Sequence, residues 1–283
     1  LHCAGPFVTT SAPMVRACLG TGAHYLDITG ELTVFETVLR QDEEAKRAGV
    51  ALLPGVGFDV VPTDCLAAML NRELPHGREL TLAFEAGGGP SRGTAKTSIE
   101  GLACGGKVRR DGVLTEVPLA YKDRQFLKNG VPVTTMSIPW GDVYTAFVST
   151  GIANIETYMT VPPRTIARMR WLRHLRPLLG LAPVQRYLKG KVEAGTPGPS
   201  AQRRAETGCY VWGEVGNARG DAARLALTTP NGYDLTATAS VGIVQHLLRG
   251  GTAGGYYTPS QLMGADYILR LPGTRLVESA PAP

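Results

Sequence analysis

Short apolar runs alternate with longer amphipathic stretches along the first part of the chain. The short runs are typical of strands buried on both faces, and the amphipathic stretches have the period of helices. Strands that alternate with helices predict a parallel, doubly wound sheet of the α/β class, which we assign to residues 1–77. The predicted strands are 1–4, 24–27 and 50–53, and the predicted helices are 12–19, 33–48 and 62–72.

The pattern changes after Gly77, where longer runs of alternating apolar and polar residues follow one another. Such runs are typical of an antiparallel or mixed sheet, so we predict a second, α+β domain over residues 78–231. A turn-type sequence at 217–221 predicts a hairpin. A C-terminal segment, 232–283, carries an apolar helix over 235–249 that is expected to return to the first domain. The other predicted elements are strands at 79–85, 133–138, 144–149, 155–161, 208–215 and 223–228 and a helix at 94–104.

Composition narrows the class of protein. The chain has 283 residues, 43% of them hydrophobic, which is enough for one large core or two ordinary ones. The net charge of +5 is mild, and because no zinc-finger spacing or aromatic RNA motif accompanies it, we expect no nucleic-acid function. The five cysteines include no C-x-x-C pair, and no apolar run is long enough to span a membrane. We therefore expect reduced thiols, no metal site and a cytoplasmic location.

Three segments follow the three predicted strands of the parallel sheet. In open α/β sheets ligands bind at the carboxyl ends of the strands, and glycine lets the backbone approach a ligand closely. Turn glycines and helix N-caps explain each segment alone equally well, but three in succession at one edge favour a binding site. The candidate cofactor-binding residues are Cys3, Ala4, Gly5, Pro6 and Phe7, then Asp27, Gly30 and Glu31, then Gly57, Phe58 and Asp59.

The same segments carry a resemblance to a known family. The sequences C-A-G-P-F at 3–7, Y-L-D-I-T-G-E at 25–31 and L-P-G-V-G-F-D-V-V-P-T-D at 53–64 resemble the later strands of saccharopine dehydrogenase-like oxidoreductases. This resemblance spans nearly the whole chain and implies a Rossmann domain interrupted by a substrate domain. Further matching segments are G-G-P-S-R-G-T at 88–94, similar to the start of the family's second domain, and M-S-I-P-W-G-D at 136–142 and T-P-S at 258–260, similar to its bacterial branch, which includes trans-acting enoyl reductases.

The resemblance implies a nicotinamide-dependent oxidoreductase that transfers hydride to or from a small molecule, with NADP favoured over NAD. Family members include saccharopine enzymes and reductases of lipid-like or polyketide intermediates. The family's glycine-rich G-x-x-G-x-x-G turn would precede Cys3 and is absent from the sequence, so residues 1–77 would be the C-terminal half of the Rossmann domain. That turn holds the pyrophosphate at a helix N-terminus. We therefore expect a chain truncated by on the order of 60 residues, which alone binds the dinucleotide weakly and is inactive.

A ketone or imine reduction also needs a proton donor beside the developing negative charge. The candidates at the strand ends are Tyr25, His24 and Asp59. A structural role is the simpler explanation for His24, and Tyr25 alternates with Leu26 as a core residue would. The sequence leaves the choice between them open, as it does the choice between carbonyl and enoyl reduction.

Four residues of the second domain are candidates for substrate binding. Ser91, Arg92 and Thr94 precede a predicted helix, where a guanidinium and unbonded backbone amides favour a carboxylate or phosphate. An ordinary N-cap explains these residues equally well. Trp140 is a candidate wall of the substrate pocket, although an aromatic side chain anchoring a turn is the simpler explanation.

Residues 164–191 interleave arginine and lysine with leucine at helical spacing. This pattern is typical of a helix lying on an anionic membrane, and also of a solvated helix whose arginine stems cover apolar surface, which is the simpler interpretation. The stretch keeps a second function open, that of a non-catalytic, lipid- or protein-associating relative that retains the fold. A bare edge of the parallel sheet would favour pairing with another chain, as in a homodimer.

Overall fold

Two sheets organise the chain in the computed structural model, which describes residues 1–195 and 198–277. One is a parallel sheet of three strands and the other a mixed sheet of nine. The predicted fold class, a partial Rossmann-like parallel sheet combined with an α+β unit, is confirmed. No helix in the described ranges combines the length and the apolar character needed to cross a bilayer.

The helices and strands are numbered separately in chain order. The helices are α1 Phe7–Thr21, α2 Leu32–Leu39, α3 Asp42–Ala48, α4 Val61–Glu73, α5 Arg92–Cys104, α6 Asp142–Thr150, α7 Pro163–Leu172, α8 Arg176–Leu179, α9 Ala182–Glu193, α10 Ala201–Glu206, α11 Gly232–Leu248 and α12 Pro259–Met263, with 3-10 helices at Arg173–Leu175 and Ala265–Arg270. The strands are β1 Tyr25–Leu26, β2 Ala51–Leu53, β3 Glu79–Ala86, β4 Gly106–Arg110, β5 Val113–Val117, β6 Asp123–Lys128, β7 Val131–Ser137, β8 Asn154–Thr160, β9 Cys209–Gly216, β10 Ala222–Thr229, β11 Gly255–Tyr256 and β12 Arg275–Val277.

The parallel sheet has the order β1–β2–β11, and His2 adds a parallel bridge to Asp27 beside β1. Successive side chains of a strand point to opposite faces. Leu52 accordingly packs with the residues of α1, α2 and α3 on one face, while Leu53 packs on the other face in the cluster that contains α4. Burial on both faces explains why these strands read as short, wholly apolar runs.

Helix α4 lies between the two sheets. Pro62 occupies its first turn, where a missing N–H matters least, and nearly every residue from Val61 to Leu70 is buried. The last turn of α4, with Arg72 and Glu73, reaches solvent. Its Leu66 and Leu70 reach the mixed sheet at Gly213 of β9, where an added Cβ would lie 2.5 Å from Leu70 Cδ1. The absence of a side chain at Gly213 therefore sets the close packing of α4 on this sheet.

The mixed sheet has the order β12–β10–β9–β3–β8–β4–β5, and β7 joins β6 to the edge of β8. Strand β3 is parallel to β8 and antiparallel to β9. Strands β9 and β10 form the predicted hairpin, because Asn217 N–H donates to the Asp221 carbonyl across the turn at 3.0 Å.

Several predicted elements were wrong. The segment 144–149 was predicted as a strand from its β-favouring Tyr, Thr, Phe and Val, but it lies inside helix α6. The buried residues of this helix include Val143 and Ala146, which are spaced as on one side of a helix, and Gly151 ends it in the left-handed conformation. The single helix predicted over 33–48 is two, α2 and α3, and Asp42 at the start of α3 accepts a hydrogen bond from Tyr256 N at 2.7 Å. The helix predicted over 12–19 extends from Phe7 to Thr21. Strands β4, β5, β6, β11 and β12 were not predicted.

Residues beyond α11 contribute to both sheets. Strand β11 pairs with β2 in the parallel sheet, and β12 pairs antiparallel with β10 in the mixed sheet. Tyr267, between them, packs under α11 and donates its hydroxyl to the Ala239 carbonyl at 2.7 Å. The C-terminal segment thus does more than supply a single helix. Its residues 278–283 lie outside the described part of the chain.

Candidate functional site

The three candidate segments meet at the carboxyl edge of the parallel sheet. Residues Cys3 to Pro6 are exposed there, and Phe7 begins α1. Glu31 reaches across to this turn, where its Oε2 accepts a hydrogen bond from Val8 N at 2.8 Å. The carboxylate of Glu31 therefore occupies the N-terminus of α1, where backbone amides and the helix dipole favour negative charge. Burial raises the pKa of the Glu31 carboxyl despite these bonds.

Removal of the Glu31 carboxylate should destabilise α1. We expect Glu31→Ala to lower the free energy of unfolding by about 1 kcal/mol, the usual cost of losing a helix cap. Glu31→Gln keeps an oxygen that can accept from Val8 N and should lose less than half of that amount. Urea denaturation followed by circular dichroism measures both values. Equal losses in the two variants would show that the hydrogen bond is not what holds the turn.

Asp27 lies beneath the edge and not in the crevice. It is fully buried, and its Oδ1 accepts from Gly55 N at 2.9 Å and Thr29 N at 3.0 Å. The Tyr25 hydroxyl donates to its Oδ2 at 2.6 Å. Burial raises the pKa of both Asp27 and Tyr25. The side chains of Tyr25 and Asp27 are therefore engaged with each other, and Asp27 also with the amide of Gly55 after β2. His24 is engaged at the start of β2, where its Nδ1 accepts from Ala51 N at 3.0 Å.

Asp59 is, beside Glu31, a second partly exposed carboxylate at this edge. Its side chain lies against Gly30, where an added Cβ would come within 3.0 Å of Asp59 Oδ2. Among the described residues no hydrogen bond to its carboxylate is found, and burial raises its pKa to about 7. A carboxyl that titrates near neutral pH can both donate and accept a proton. Of the three candidate proton donors, Asp59 alone is without a side-chain hydrogen-bond partner among the described residues, and its role as proton donor stays a prediction.

An aromatic row joins the cofactor candidates to the substrate candidates. The ring of Phe58 contacts Phe84 of β3 edge-on at 5.8 Å, and Phe84 lies 4.8 Å from the ring of Trp140. Gly57 and Phe58 are fixed from the other side by α11, since Phe58 N donates to Thr236 Oγ1 at 2.9 Å and a Cβ at Gly57 would lie 2.9 Å from Thr236 Cγ2. Phe84 thus lies between Trp140 and Phe58 and contacts both rings.

Ser91, Arg92 and Thr94 form the start of α5. Ser91 Oγ accepts from Thr94 N at 3.1 Å as an N-cap, and Arg92 donates to the Gly195 carbonyl at 2.6 Å. The hydroxyls of Ser91 and Thr94 are thus engaged with each other and the guanidinium of Arg92 with the chain leaving α9. Their role in substrate binding stays a prediction.

The first turn of α11 was not among the sequence candidates. Asn231, almost fully buried, donates through its amide to the Gly87 carbonyl at 3.1 Å and Thr207 Oγ1 at 2.9 Å, and it caps α11 by accepting from Tyr233 N. The next residue, Gly232, packs on the ring of Phe58, and a Cβ added to Gly232 would lie 3.0 Å from Phe58 Cγ. Asn231 and Gly232 therefore connect the glycine turn before α5 to Phe58. The Pro-Asn-Gly sequence before an apolar helix is the cap signal that points to it.

Two buried carboxyls were also missed. Asp142 begins α6 and Asp64 lies in the first turn of α4, and both are fully buried. Asp64 Oδ2 accepts from Ser260 N at 2.7 Å, whereas neither oxygen of Asp142 has a hydrogen-bond partner among the described residues. Burial raises the pKa of both, and their mutual repulsion and that of Asp59 raise the pKa of Asp142 further. Both lie in the first turn of a helix, where an acidic residue is common, so their burial could not be predicted from the sequence.

The sequence is similar to curated saccharopine dehydrogenase-like oxidoreductases. It is 37% identical to the human protein of that name over 65 residues, which cover 23% of this chain and 15% of the human one. A trans-acting enoyl reductase of Mycobacterium leprae is 34% identical over 71 residues, or 25% of this chain and 17% of that protein. The matched regions thus span less than a fifth of either relative. No protein-family model matches the sequence.

The fold is that of saccharopine dehydrogenase. The apo enzyme (L-Glu forming) from Saccharomyces cerevisiae superposes with a TM-score of 0.55 over 93% of this chain and 82% of the enzyme, at 11% sequence identity. At this identity the likeness concerns the fold. Together with the sequence matches it confirms the resemblance indicated by the strand-end motifs.

Proposed function

We propose that this chain, similar in sequence and fold to saccharopine dehydrogenase-like proteins, forms the catalytic edge of an oxidoreductase that transfers hydride between a nicotinamide dinucleotide and a small molecule. The observation that carries this proposal is the meeting of residues 3–7, 27–31 and 57–59 at one carboxyl edge of a parallel sheet. Ligands of open α/β folds bind at that edge. The finer assignments, to NADP and to a lipid-like or polyketide substrate, rest on the resemblance to the enoyl reductase.

The residues at the edge fit the nicotinamide end of such a cofactor. The exposed backbone from Cys3 to Pro6 offers hydrogen-bonding groups to it, and the lack of a side chain at Gly30 lets the Asp59 carboxylate lie against the backbone there. The α1 N-terminus does not suit the pyrophosphate, because the Glu31 carboxylate already takes its amide at Val8. When bound, the nicotinamide ring would supply or accept hydride.

Asp59 would then move the accompanying proton. A reduced carbonyl gains hydride at carbon and needs a proton at oxygen, and an acid with a pKa near the working pH supplies it most effectively. The pKa of Asp59 is raised to about 7 by burial. Trp140, held by Phe84, would form an apolar wall on the substrate side of Phe58.

Saturation-transfer NMR with NADPH and the 283-residue chain tests the proposal. We expect weak binding in which the nicotinamide ring protons receive more saturation than the adenine protons, since the edge fits the former. Gly30→Val should abolish this signal, because its side chain would enter the space beside Asp59. Gly20→Ala, where an added Cβ meets no atom within 4 Å, is the matched control and should leave it unchanged. Absence of any nicotinamide signal would contradict the proposal and favour a non-catalytic relative.

A further inference from the structure

The cations between residues 164 and 191 divide into two sets. One set is bound to the body of the protein: Arg170 pairs with Asp123, Lys189 pairs with Glu100, and Arg176 donates to the Ala103 carbonyl at 2.6 Å. The second set has no carboxylate within salt-bridge distance anywhere in residues 1–195 and 198–277. It consists of Arg164, Arg168, Arg173, Arg186 and Lys191.

Two cations of the second set share a face of α7 with an exposed tryptophan. Arg164, Arg168 and Trp171 are spaced i, i+4 and i+7, which places them on one side of a helix. Ile166, on another side, is buried against the protein. Trp171 leaves 63% of its surface in solvent. Trp171 therefore shares an outward side of α7 with Arg164 and Arg168 and is not part of the core.

The same combination continues through α8 and α9. Leu178, Leu181 and Tyr187 each leave half or more of their surface exposed. The ammonium of Lys191 lies 4.9 Å from the ring centre of Tyr187, so a cation again accompanies an exposed aromatic ring. We call the outward residues Arg164, Arg168, Trp171, Arg173, Leu178, Leu181, Arg186, Tyr187 and Lys191 the basic-apolar face.

We infer that the basic-apolar face docks on an anionic lipid surface. Tryptophan and tyrosine prefer the boundary between headgroups and acyl chains, and arginine and lysine beside them attract anionic headgroups while their stems contact apolar surface. Residues 164–191 contain no acid, and Glu193 just beyond them is paired with Lys96, so little negative charge opposes this attraction.

The charge pattern favours lipid over a protein partner. The five cations of the second set are exposed and have no carboxylate within salt-bridge distance among the described residues, and a bilayer offers mobile anionic headgroups to such cations. The inference is independent of the proposed hydride transfer, since the face shares no residue with the sheet edge.

Co-sedimentation with vesicles tests this inference. The vesicles consist of phosphatidylcholine alone, or of phosphatidylcholine and phosphatidylserine in equal amounts. The 283-residue chain should bind only the anionic vesicles, and the bound fraction should fall at high salt, which screens exposed charges. Each cation near the surface contributes about fivefold to affinity. Arg164→Glu with Arg168→Glu should therefore weaken binding by at least about 25-fold.

A matched control separates the face from overall charge. Arg16→Glu with Arg219→Glu makes the same change in net charge at exposed arginines on α1 and on the β9–β10 turn. This control should bind anionic vesicles as the parent does. Circular dichroism and thermal unfolding confirm that both double variants are folded. The inference would be overturned by an equal loss of binding in the two double variants. It would also be overturned if the parent bound phosphatidylcholine alone as strongly as the anionic mixture, or bound neither.

Tryptophan fluorescence locates the contact. Of the three tryptophans, Trp171 is exposed while Trp212 is buried. Anionic vesicles should shift the emission of the parent to shorter wavelength, and Trp171→Phe should abolish the shift while the protein still sediments with the vesicles. A shift that persists in Trp171→Phe would place the contact elsewhere and refute the docking face.

Discussion

Raising the pH from about 4 to above 7 should lower the free energy of unfolding of this chain by several kcal/mol. Asp59, Asp64 and Asp142 all have a pKa raised by burial in the folded state, to about 7 for Asp59. An unfolded aspartate titrates near pH 3.9. The folded chain therefore binds more protons than the unfolded chain between these values. Its stability is highest at the acidic end of this window and is lost as each carboxyl ionises.

Removal of one of these carboxyls should make the free energy of unfolding less dependent on pH. Asp142→Asn deletes a fully buried group whose oxygens have no partner among the described residues, so we expect little gain near pH 4 and a gain that grows to about 1–3 kcal/mol at pH 8. Asp59→Asn should act in the same direction, by on the order of 2–4 kcal/mol above its pKa of about 7. Urea unfolding at a series of pH values measures both.

Asp266→Asn is the control for this series. Asp266 is exposed, and its hydrogen bond with Arg72 lowers its pKa, so its loss should leave the decline between pH 5 and pH 8 intact. A stability of the parent that stays constant over this range would refute the expectation. So would a slope for Asp142→Asn that matches the slope for Asp266→Asn.

Gly254→Ala should be among the most damaging single substitutions. A Cβ at this position would lie 2.3 Å from the Ala45 carbonyl oxygen and 2.8 Å from Gly49 Cα, which are backbone atoms that cannot rotate away. Relief requires α3 and β11 to separate, and with them the pairing of β11 to β2. Overpacking of this kind costs about 1–3 kcal/mol, and the backbone neighbours place Gly254→Ala at about 3 kcal/mol or above. Thermal and urea unfolding report the loss.

Gly20→Ala provides the comparison. Gly20 lies inside α1 with no atom within 4 Å of an added Cβ, so alanine should stabilise the chain by about 0.5–1 kcal/mol through helix propensity. Opposite signs at the two glycines would show that available space decides the outcome. A Gly254→Ala variant as stable as the parent would mean that α3 and β11 pack less closely than described.

Local patterns were sufficient to predict strands β1 and β2 of the parallel sheet and the positions, though not the bounds, of the helices that cover them. Residues such as Leu52 and Leu53 are buried on both faces, so their strand reads directly from the sequence. Gly49, left-handed after α3, marked a helix end for the same local reason. Strand β11, with only Gly255 and Tyr256, carries no such pattern, because its pairing with β2 depends on residues two hundred positions away.

The candidate site shows the same division. Turn glycines and acids after each strand pointed to the edge, but no local pattern separates buried Asp27 from partly exposed Asp59. Their difference comes from Tyr25 and the Gly55 amide, which occupy the oxygens of Asp27. Asn231 was overlooked because its partner Gly87 is 144 positions away. Side-chain partners supplied by distant segments decide which of several similar carboxylates is available for chemistry.

The return of the chain to both sheets after α11 constrains how this fold can be recombined. Residues 79–229 look like an insertion between α4 and α11, yet β12, at Arg275–Val277, completes the edge of the sheet that this insertion builds. A graft of the mixed sheet from one homologue into another would thus leave β10 facing a foreign strand unless the tail were exchanged as well. We expect substitutions in β12 and in β10 to be correlated among homologues, because the two strands pair although almost fifty residues separate them.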